Sequence, residues 1–572
     1  MKRYTLLLFF ITGLPFFSWA QPASGKQKVP YKIPSVLKPA LEGITAQTIL
    51  KHVQVLSSDE FEGRAPGTHG DTLTVDYLTG QFKKTGLLPG NPDGSYEQQV
   101  PMIGSTLQKV SLSVTANGKT IPLRFPDDYI AGSSRHTPEI SVTGSDLVFA
   151  GYGIVAPQYG WDDYKDIDVK GKAVIVLDHE PVVKAANDPG KKDTSFFKGD
   201  IQTYYAQRWY KTAVAAKKGA AVLFVIHDPQ TAFAPFKVYQ NSALLERIDL
   251  HSPGSQEPVL MADGHLTLEA FTRLCNEWNK DATQLQQMAM RKDFVPVNLG
   301  GSIHLNIQNR VRTLTSRNVV AKLEGSDKKL KDEYVIYSAH WDHLGKDTSL
   351  RGDQIYNGAA DNASGVAAIL TIAKAFAALK TKPKRSLLFI ATTAEEEGLI
   401  GSKYYASHPL YPLTHTLANI NIDGISLWGR TKDVWNAGAG LTTIDEVLKQ
   451  TAQAQNREYK VYTDVKGFFF KSDQVEFAAV GIPSVFPSAG SHIVGKPQDY
   501  GEKKEEEYFK NDYHRVSDEV KPDWDLSGAA EDAQWLFLTG YQIVQSKQYP
   551  QWKEGAEFKA LREAMMKTAG HK

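Results

Sequence analysis

The chain of 572 residues contains one cysteine, Cys275, so neither an intramolecular disulfide framework nor a cysteine-based zinc finger can form. Excess charge is missing too, because 65 Lys and Arg stand against 64 Asp and Glu. Without a net field, nothing draws the whole chain to nucleic acid or to an anionic membrane. No internal repeat is present, and the charged run 502–507 reads as a solvated loop. Beyond the first twenty residues no apolar stretch is long enough to cross a bilayer. The opening segment is different: residues 1–3 are basic at two positions, 6–17 are apolar, and Ser18-Trp-Ala20 is a cleavage site. Residues 1–20 therefore read as an export signal removed after Ala20. Gln21 and not a cysteine stands directly after Ala20, which argues against a lipoprotein anchor. An exported chain without disulfides points to a periplasmic or secreted protein.

The pattern of the remainder divides it. Residues 21–100 begin extended and then show apolar spacing for two helices, over 39–56 and 71–85, separated by the Gly- and Pro-punctuated loop 59–70. Residues 101–300 show short alternating runs at 110–114, 146–150, 172–177 and 220–226, with helical spacing over 203–218. They read as a β-rich inserted region with one or two helices. From 301 to 550, strands expected at 318–323, 333–338, 385–392, 417–422 and 483–486 alternate with helices at 365–379, 399–408, 442–455, 472–480 and 526–545. That alternation predicts an α/β sheet with parallel members. Residues 551–572 read as a C-terminal tail.

Metal-ligand residue types follow the apolar runs of this second half. Glu395, Glu396 and Glu397 stand directly after 385–392, and adjacent carboxylates at a strand end repel one another unless a cation sits among them. His340 closes another run, with Asp342 two residues on to orient its imidazole and His343 as a rival that spacing alone does not separate. Asp361 lies between a Gly-bounded loop and an apolar helix, where a helix cap is the ordinary role. Asp423 follows a third run, and His514 lies in a polar loop. In open α/β sheets, sites form beyond the carboxyl ends of the strands. The arrangement suggests a metal-dependent hydrolase.

The strings Ser338-Ala-His-Trp-Asp-His-Leu-Gly345, Gly358-Ala-Ala-Asp-Asn-Ala-Ser-Gly-Val366, Ala394-Glu-Glu-Glu-Gly-Leu-Ile-Gly-Ser402, Asn421-Ile-Asp-Gly424 and Tyr513-His514 occur in this order. Over about 310–545 the chain thus resembles the co-catalytic zinc peptidases of metallopeptidase family 28. The resemblance implies a three-layer α/β/α mixed sheet and two Zn2+ ions per chain. It also implies that Asp361 bridges them, His340 and Asp423 complete one ion's ligands, and Glu396 and His514 complete the other's. Glu395 would be the general base. Glu397 takes no role, and Gln474 stands where many relatives have a His. Within 101–300, Leu147-Val-Phe-Ala-Gly-Tyr-Gly-Ile154, Val169-Lys-Gly-Lys-Ala-Val-Ile-Val176 and Ala216-Lys-Lys-Gly-Ala-Ala-Val-Leu223 resemble a protease-associated domain.

The implied activity is removal of N-terminal residues from peptide substrates, with no nucleic-acid or membrane partner after signal cleavage. Carboxypeptidase or other amidohydrolase chemistry at the same site, and a non-catalytic receptor-like role, remain open alternatives. Phe468, Phe469 and Phe470 read as a cleft wall or core, and Asp464 and Asp473 as possible substrate contacts.

Overall fold

The computed structural model describes residues 31–568, apart from 186–187, 194–195, 198, 200–201, 233, 253–256 and 463–466. The expected export signal at 1–20 and Asp464 lie outside the described residues. The elements that position the site are helices α1 (Ala46–Leu56), α2 (His69–Lys84), α3 (Arg208–Lys217), α4 (Ser364–Ala377), α5 (Ile400–Ser407), α6 (Gln474–Ala479), α7 (Tyr500–Asn511) and α8 (Ser527–Gln545). The strands are β1 (Glu97–Ala116), β2 (Tyr129–Gly132), β3 (Glu139–Phe149), β4 (Ala173–Leu177), β5 (Val222–His227) and β6 (Ala262–Thr267). They continue as β7 (Val297–Leu323), β8 (Tyr334–His340), β9 (Ser386–Thr392), β10 (Thr416–Asn421) and β11 (Ser484–Val485).

Among the described residues one sheet runs in the order β11-β10-β8-β9-β7-β3-β4-β5-β6-β2. The members β9, β8, β10 and β11 are mutually parallel, as are β3, β4, β5 and β6. Strand β7 joins the two sets, pairing antiparallel with β3 through its first half and with β9 through its last residues. It also pairs with β1 from Gly301 to Val319. The boundaries expected at 101 and 301 therefore fall inside β1 and β7. Glycine and polar residues in mid-strand hid this continuity, because these strands carry one exposed face for much of their length.

Strands β8 and β9 are buried at every residue. Successive side chains point to opposite faces, and each face has its own cover. Val335, Tyr337, Leu387 and Phe389 join the cluster containing α4 and α8, whereas Ile336, Leu388 and Ile390 pack with Tyr405 of α5 and Phe477 of α6. Each such side chain contributes about 1.5–3 kcal/mol on burial. The result is the α/β/α layering the sequence predicts. Close approach of α8 depends on Gly540: a Cβ there would stand 1.8 Å from the Tyr337 hydroxyl, which itself donates to the Leu536 carbonyl at 2.7 Å.

Several local expectations change. The inserted region contains four helices among its described residues: α3, Phe236–Ser242, Leu268–Glu277 and Ala282–Ala289. The last two are capped by Thr267 and Asp281 side chains, a signal present in the sequence. The charged run 502–507 is not a loop but part of α7, where exposure of one face suits its lysines and glutamates. Residues expected as a tail include the helix Lys559–Thr568, anchored where Arg562 donates to the carbonyls of Leu413 and Thr416, each at 2.9 Å. Cys275 is buried.

Candidate metal centre and cleft

The parallel strands deliver their side chains at one edge. His340 is the last residue of β8, and its Nδ1 faces the Asp342 carbonyl at 3.3 Å. A proton on Nδ1 donated to that oxygen leaves Nε2 free to face the cluster. The Asp342 carboxylate serves a different purpose: it accepts from the backbone N–H of Glu395 at 3.0 Å and Glu396 at 3.3 Å. This clamps the end of β9 to the end of β8. Just before those glutamates, Ala394 turns with a φ of 52°, a left-handed conformation that costs about 1–3 kcal/mol outside glycine.

Asp361 is held by backbone contacts. Asp518, almost fully buried, accepts from the N–H groups of Ala360 and Asp361 at 3.0 and 3.1 Å. Asn362 donates to the Ile422 carbonyl and accepts from the Gly365 and Gly424 N–H groups at 2.9–3.0 Å. The loop carrying Asp361 is thereby tied to the loop carrying Asp423.

Six expected residues come together. His340 Nε2 stands 3.2 Å from Asp361 Oδ1 and 3.3 Å from Asp423 Oδ1. His514 Nε2 stands 3.2 Å from Asp361 Oδ2 and 3.1 Å from Glu396 Oε2. Each Asp361 oxygen thus faces a different imidazole. A carboxylate atom of Glu395 lies within 4.8 Å of donor atoms from both His340 and Asp423. His343 is separated from His340 by its role here, because its Nδ1 bonds the remaining Glu396 oxygen, Oε1, at 2.7 Å. Gln474 faces away from the cluster, bonding Asn421 and the Phe469 carbonyl. Asp473 is fully buried, accepts from Thr392, and is not among the residues lining the cleft.

The electrostatics show what the cluster needs. Burial acts to lower His340, yet Glu395, Asp423 and Asp361 outweigh it and hold the imidazole well above its ordinary range. Burial likewise opposes His514, but Asp361 and Glu396 raise it to about 10. Burial pushes Glu395 well above the ordinary carboxyl range, against His340 and with the fields of Asp423 and Glu396. Burial would raise Asp361 as well, but the imidazoles of His340 and His514, each 3.2 Å from one of its oxygens, hold it well below that range. Protons on the imidazoles are thus the cations that balance these carboxylates. A divalent ion can replace them. His514 Nε2 also finds no hydrogen-bond partner among the described residues despite the two nearby oxygens. Once its proton leaves, the lone pair of this nitrogen and those of the two oxygens would converge on a shared volume, as ligands do. Imidazole and carboxylate donors without thiolate suit zinc, so the residues fit the metal.

Above the cluster lies a cleft of about 800 Å³ whose floor includes Asp361, Glu395, Glu396 and Asp423. Its walls include Trp428, Trp435, Phe468, Phe470 and Tyr513, together with Trp209 from α3 of the inserted region. Phe469 turns into the core instead. Sequence reasoning does not single out Arg64, since it lies in what reads as a Gly- and Pro-punctuated loop. It is fully buried and donates to the carbonyls of Leu56, Trp341, Asn357 and Gly358 at 2.6–2.9 Å. Burial draws its guanidinium down to about 10, against the fields of Asp518, Asp342, Asp361 and Glu396. A buried arginine serving backbone carbonyls has no sequence signature.

Comparison with known proteins places this half of the chain. The model of "Peptidase family M28" matches residues 318–538. Aminopeptidase NAALADL1 of Mus musculus is 34% identical over 129 residues, covering 22% of this chain and 16% of that protein. A probable zinc metalloprotease of Pyricularia oryzae is 31% identical over 134 residues, covering 22% and 24%. A vacuolar membrane protease of Schizosaccharomyces pombe is 33% identical over 113 residues, covering 20% and 12%. The chain thus spans less than a quarter of the length of these curated relatives. Among solved structures, an aminopeptidase from Aneurinibacillus sp. strain AM-1 aligns with a TM-score of 0.48 at 19% identity, covering 90% of this chain and 99% of that one. No helix among the described residues is long and apolar enough to cross a membrane.

Proposed function

We propose that this protein, whose residues 318–538 match the model of peptidase family M28, is an exported zinc-dependent exopeptidase that removes N-terminal residues from peptides. The observation that carries the reading is Asp361, with one oxygen toward His340 and the other toward His514. That is the placement of a carboxylate shared between two cations. His340, Asp361 and Asp423 would hold one zinc ion; Asp361, Glu396 and His514 would hold the second. When bound, the zinc pair supplies Lewis acidity to the scissile carbonyl and brings the acidity of water to roughly neutral pH.

The chain's own groups do the rest. Glu395 lines the cleft and, left out of the ligand set on this reading, takes the proton of the attacking water and passes it to the leaving amine. The acidic floor, Asp423 included, matches the charge of a free α-amine, and the aromatic walls favour a bulky apolar side chain. The inserted region, resembling a protease-associated domain, contributes Trp209 to those walls. The leader-like residues 1–20 support export.

The test compares free and N-acetylated aminoacyl anilides with and without chelator, alongside metal analysis of the purified protein. The reading expects hydrolysis of the free anilide, abolished by chelation and restored by zinc. Cleavage of the blocked compound alone would replace the aminopeptidase with another amidohydrolase. Metal-free protein that neither takes up zinc nor turns over substrate would favour a receptor-like role.

A further inference from the structure

The segment before α2 adopts a tight turn, Asp59–Arg64, that the catalytic sheet neither contains nor covers. It is nevertheless locked into the loops that carry the site. Gly63 approaches so closely that a Cβ would meet the Gly345 carbonyl oxygen at 2.3 Å and the Tyr356 carbonyl oxygen at 2.6 Å. Asn357 Nδ2 donates back to the Ser57 carbonyl and to Asp59 Oδ1, both at 2.9 Å. From this turn Arg64 reaches the Trp341 carbonyl through Nε and the Asn357 and Gly358 carbonyls through its two terminal nitrogens.

Those acceptors have a common feature. Trp341 follows His340 and precedes Asp342, the residue that orients the His340 imidazole and clamps Glu395 and Glu396. Gly358 opens the loop that ends at Asp361. One planar guanidinium therefore spans the two loops that bring His340 and Asp361 within 3.2 Å of each other. Its fork of donors is rigid, which a lysine's single ammonium cannot reproduce. Its charge also lies beside a cluster rich in carboxylates.

We propose that Arg64 is a positioning residue of the metal centre, fixing the separation of His340 and Asp361 from outside the matched catalytic region. The N-terminal segment is on this account a component of the active site and not only a cover for the sheet. The inference rests on the zinc-peptidase reading. It extends that reading to a residue with no direct contact to metal or substrate.

The experiment measures zinc affinity by chelator competition, kcat and KM for a free aminoacyl anilide, and far-UV circular dichroism. It is applied to the parent protein, Arg64→Lys and Asp59→Ala. Partners that orient metal ligands alter affinity or activity by about 10–100-fold when removed. Arg64→Lys is expected to keep the parent spectrum, to bind zinc about 10–100-fold more weakly, and to lose kcat with KM little changed. Asp59→Ala, which removes one anchor of the Asn357 segment without stranding a buried charge, is expected to weaken zinc binding by a smaller factor. Should Arg64→Lys fail to fold, Asp59→Ala decides the matter. Parental zinc affinity and kcat in the folded variant, with only a lower melting temperature, would make the turn purely structural and overturn the proposal. If the parent itself binds no zinc, the zinc-peptidase reading fails instead.

Discussion

Carboxylates crowded at one place are the residue-scale problem this chain solves. Two like charges 4 Å apart repel by about 4 kcal/mol at an effective dielectric of about 20. Asp361, Glu395, Glu396 and Asp423 are balanced by imidazoles whose ring nitrogens stand 3.1–3.3 Å from Asp361, Glu396 and Asp423. The proposed labour divides between neighbours, Glu396 binding metal and Glu395 moving protons. Glu395→Gln removes proton transfer and no ligand, so it should retain zinc while turnover falls by about 10²–10⁴-fold. Asp361→Ala should do the reverse, losing zinc at both positions. Metal analysis beside steady-state rates distinguishes the two, and a Glu395→Gln protein of normal activity would move the base elsewhere. Glu397 stays outside this division: burial first, then Asp342 and Glu396, push its carboxyl up to about 8.

At the scale of elements, the N-terminal helices show how burial sets a pH dependence away from the site. His52 of α1 bonds the Tyr77 hydroxyl of α2 at 2.7 Å. Burial, aided by Lys374, Lys51 and Lys84, holds its imidazole down at about 4, against an ordinary 6.5. The unfolded chain therefore takes up this proton first as pH falls. Stability from this group is complete above about 6.5 and is lost progressively toward 4. Thermal melts of the parent and His52→Gln across that window should converge as pH drops, because glutamine keeps a polar partner for Tyr77 without the titration. A difference that stays constant from pH 7 to 4 would show that His52 is not titrating as described. Helix α7 teaches a related point: its glutamates and lysines read as a loop because only Gly501 is buried along it, leaving no apolar stripe to reveal the period.

At the scale of the whole molecule, β7 makes the inserted region and the sheet of the C-terminal half one hydrogen-bonded body. Its 27 residues pair with β1, β3 and β9. The insertion also packs behind the glutamate loop, where Met102 and Ile248, with Val100 of β1, cluster with Ala394 and Ile400. A fragment comprising 301–550 alone would lack β1 and β3, which pair with β7, and the Arg64 turn, and would expose their contact surfaces. It should melt without cooperativity and show no zinc-dependent hydrolysis. A cooperative melt and chelator-sensitive activity from that fragment would show that the sheet is self-sufficient.

The catalytic half was legible because its physics is local. Strands buried on both faces write continuous apolar runs, and β8, β9 and β10 follow the expected spans to within two residues. Ligand residue types at the ends of such runs gather wherever a parallel sheet brings its carboxyl ends together. The sequence alone therefore determined the α/β class and which six side chains to watch. Only the tertiary structure separates His340 from His343 by contact, placing His340 Nε2 beside Asp361 and Asp423 and His343 Nδ1 on Glu396. It alone revealed the reach of β7 and the burial of Arg64. Those depend on pairings between residues hundreds of positions apart, which no local pattern records.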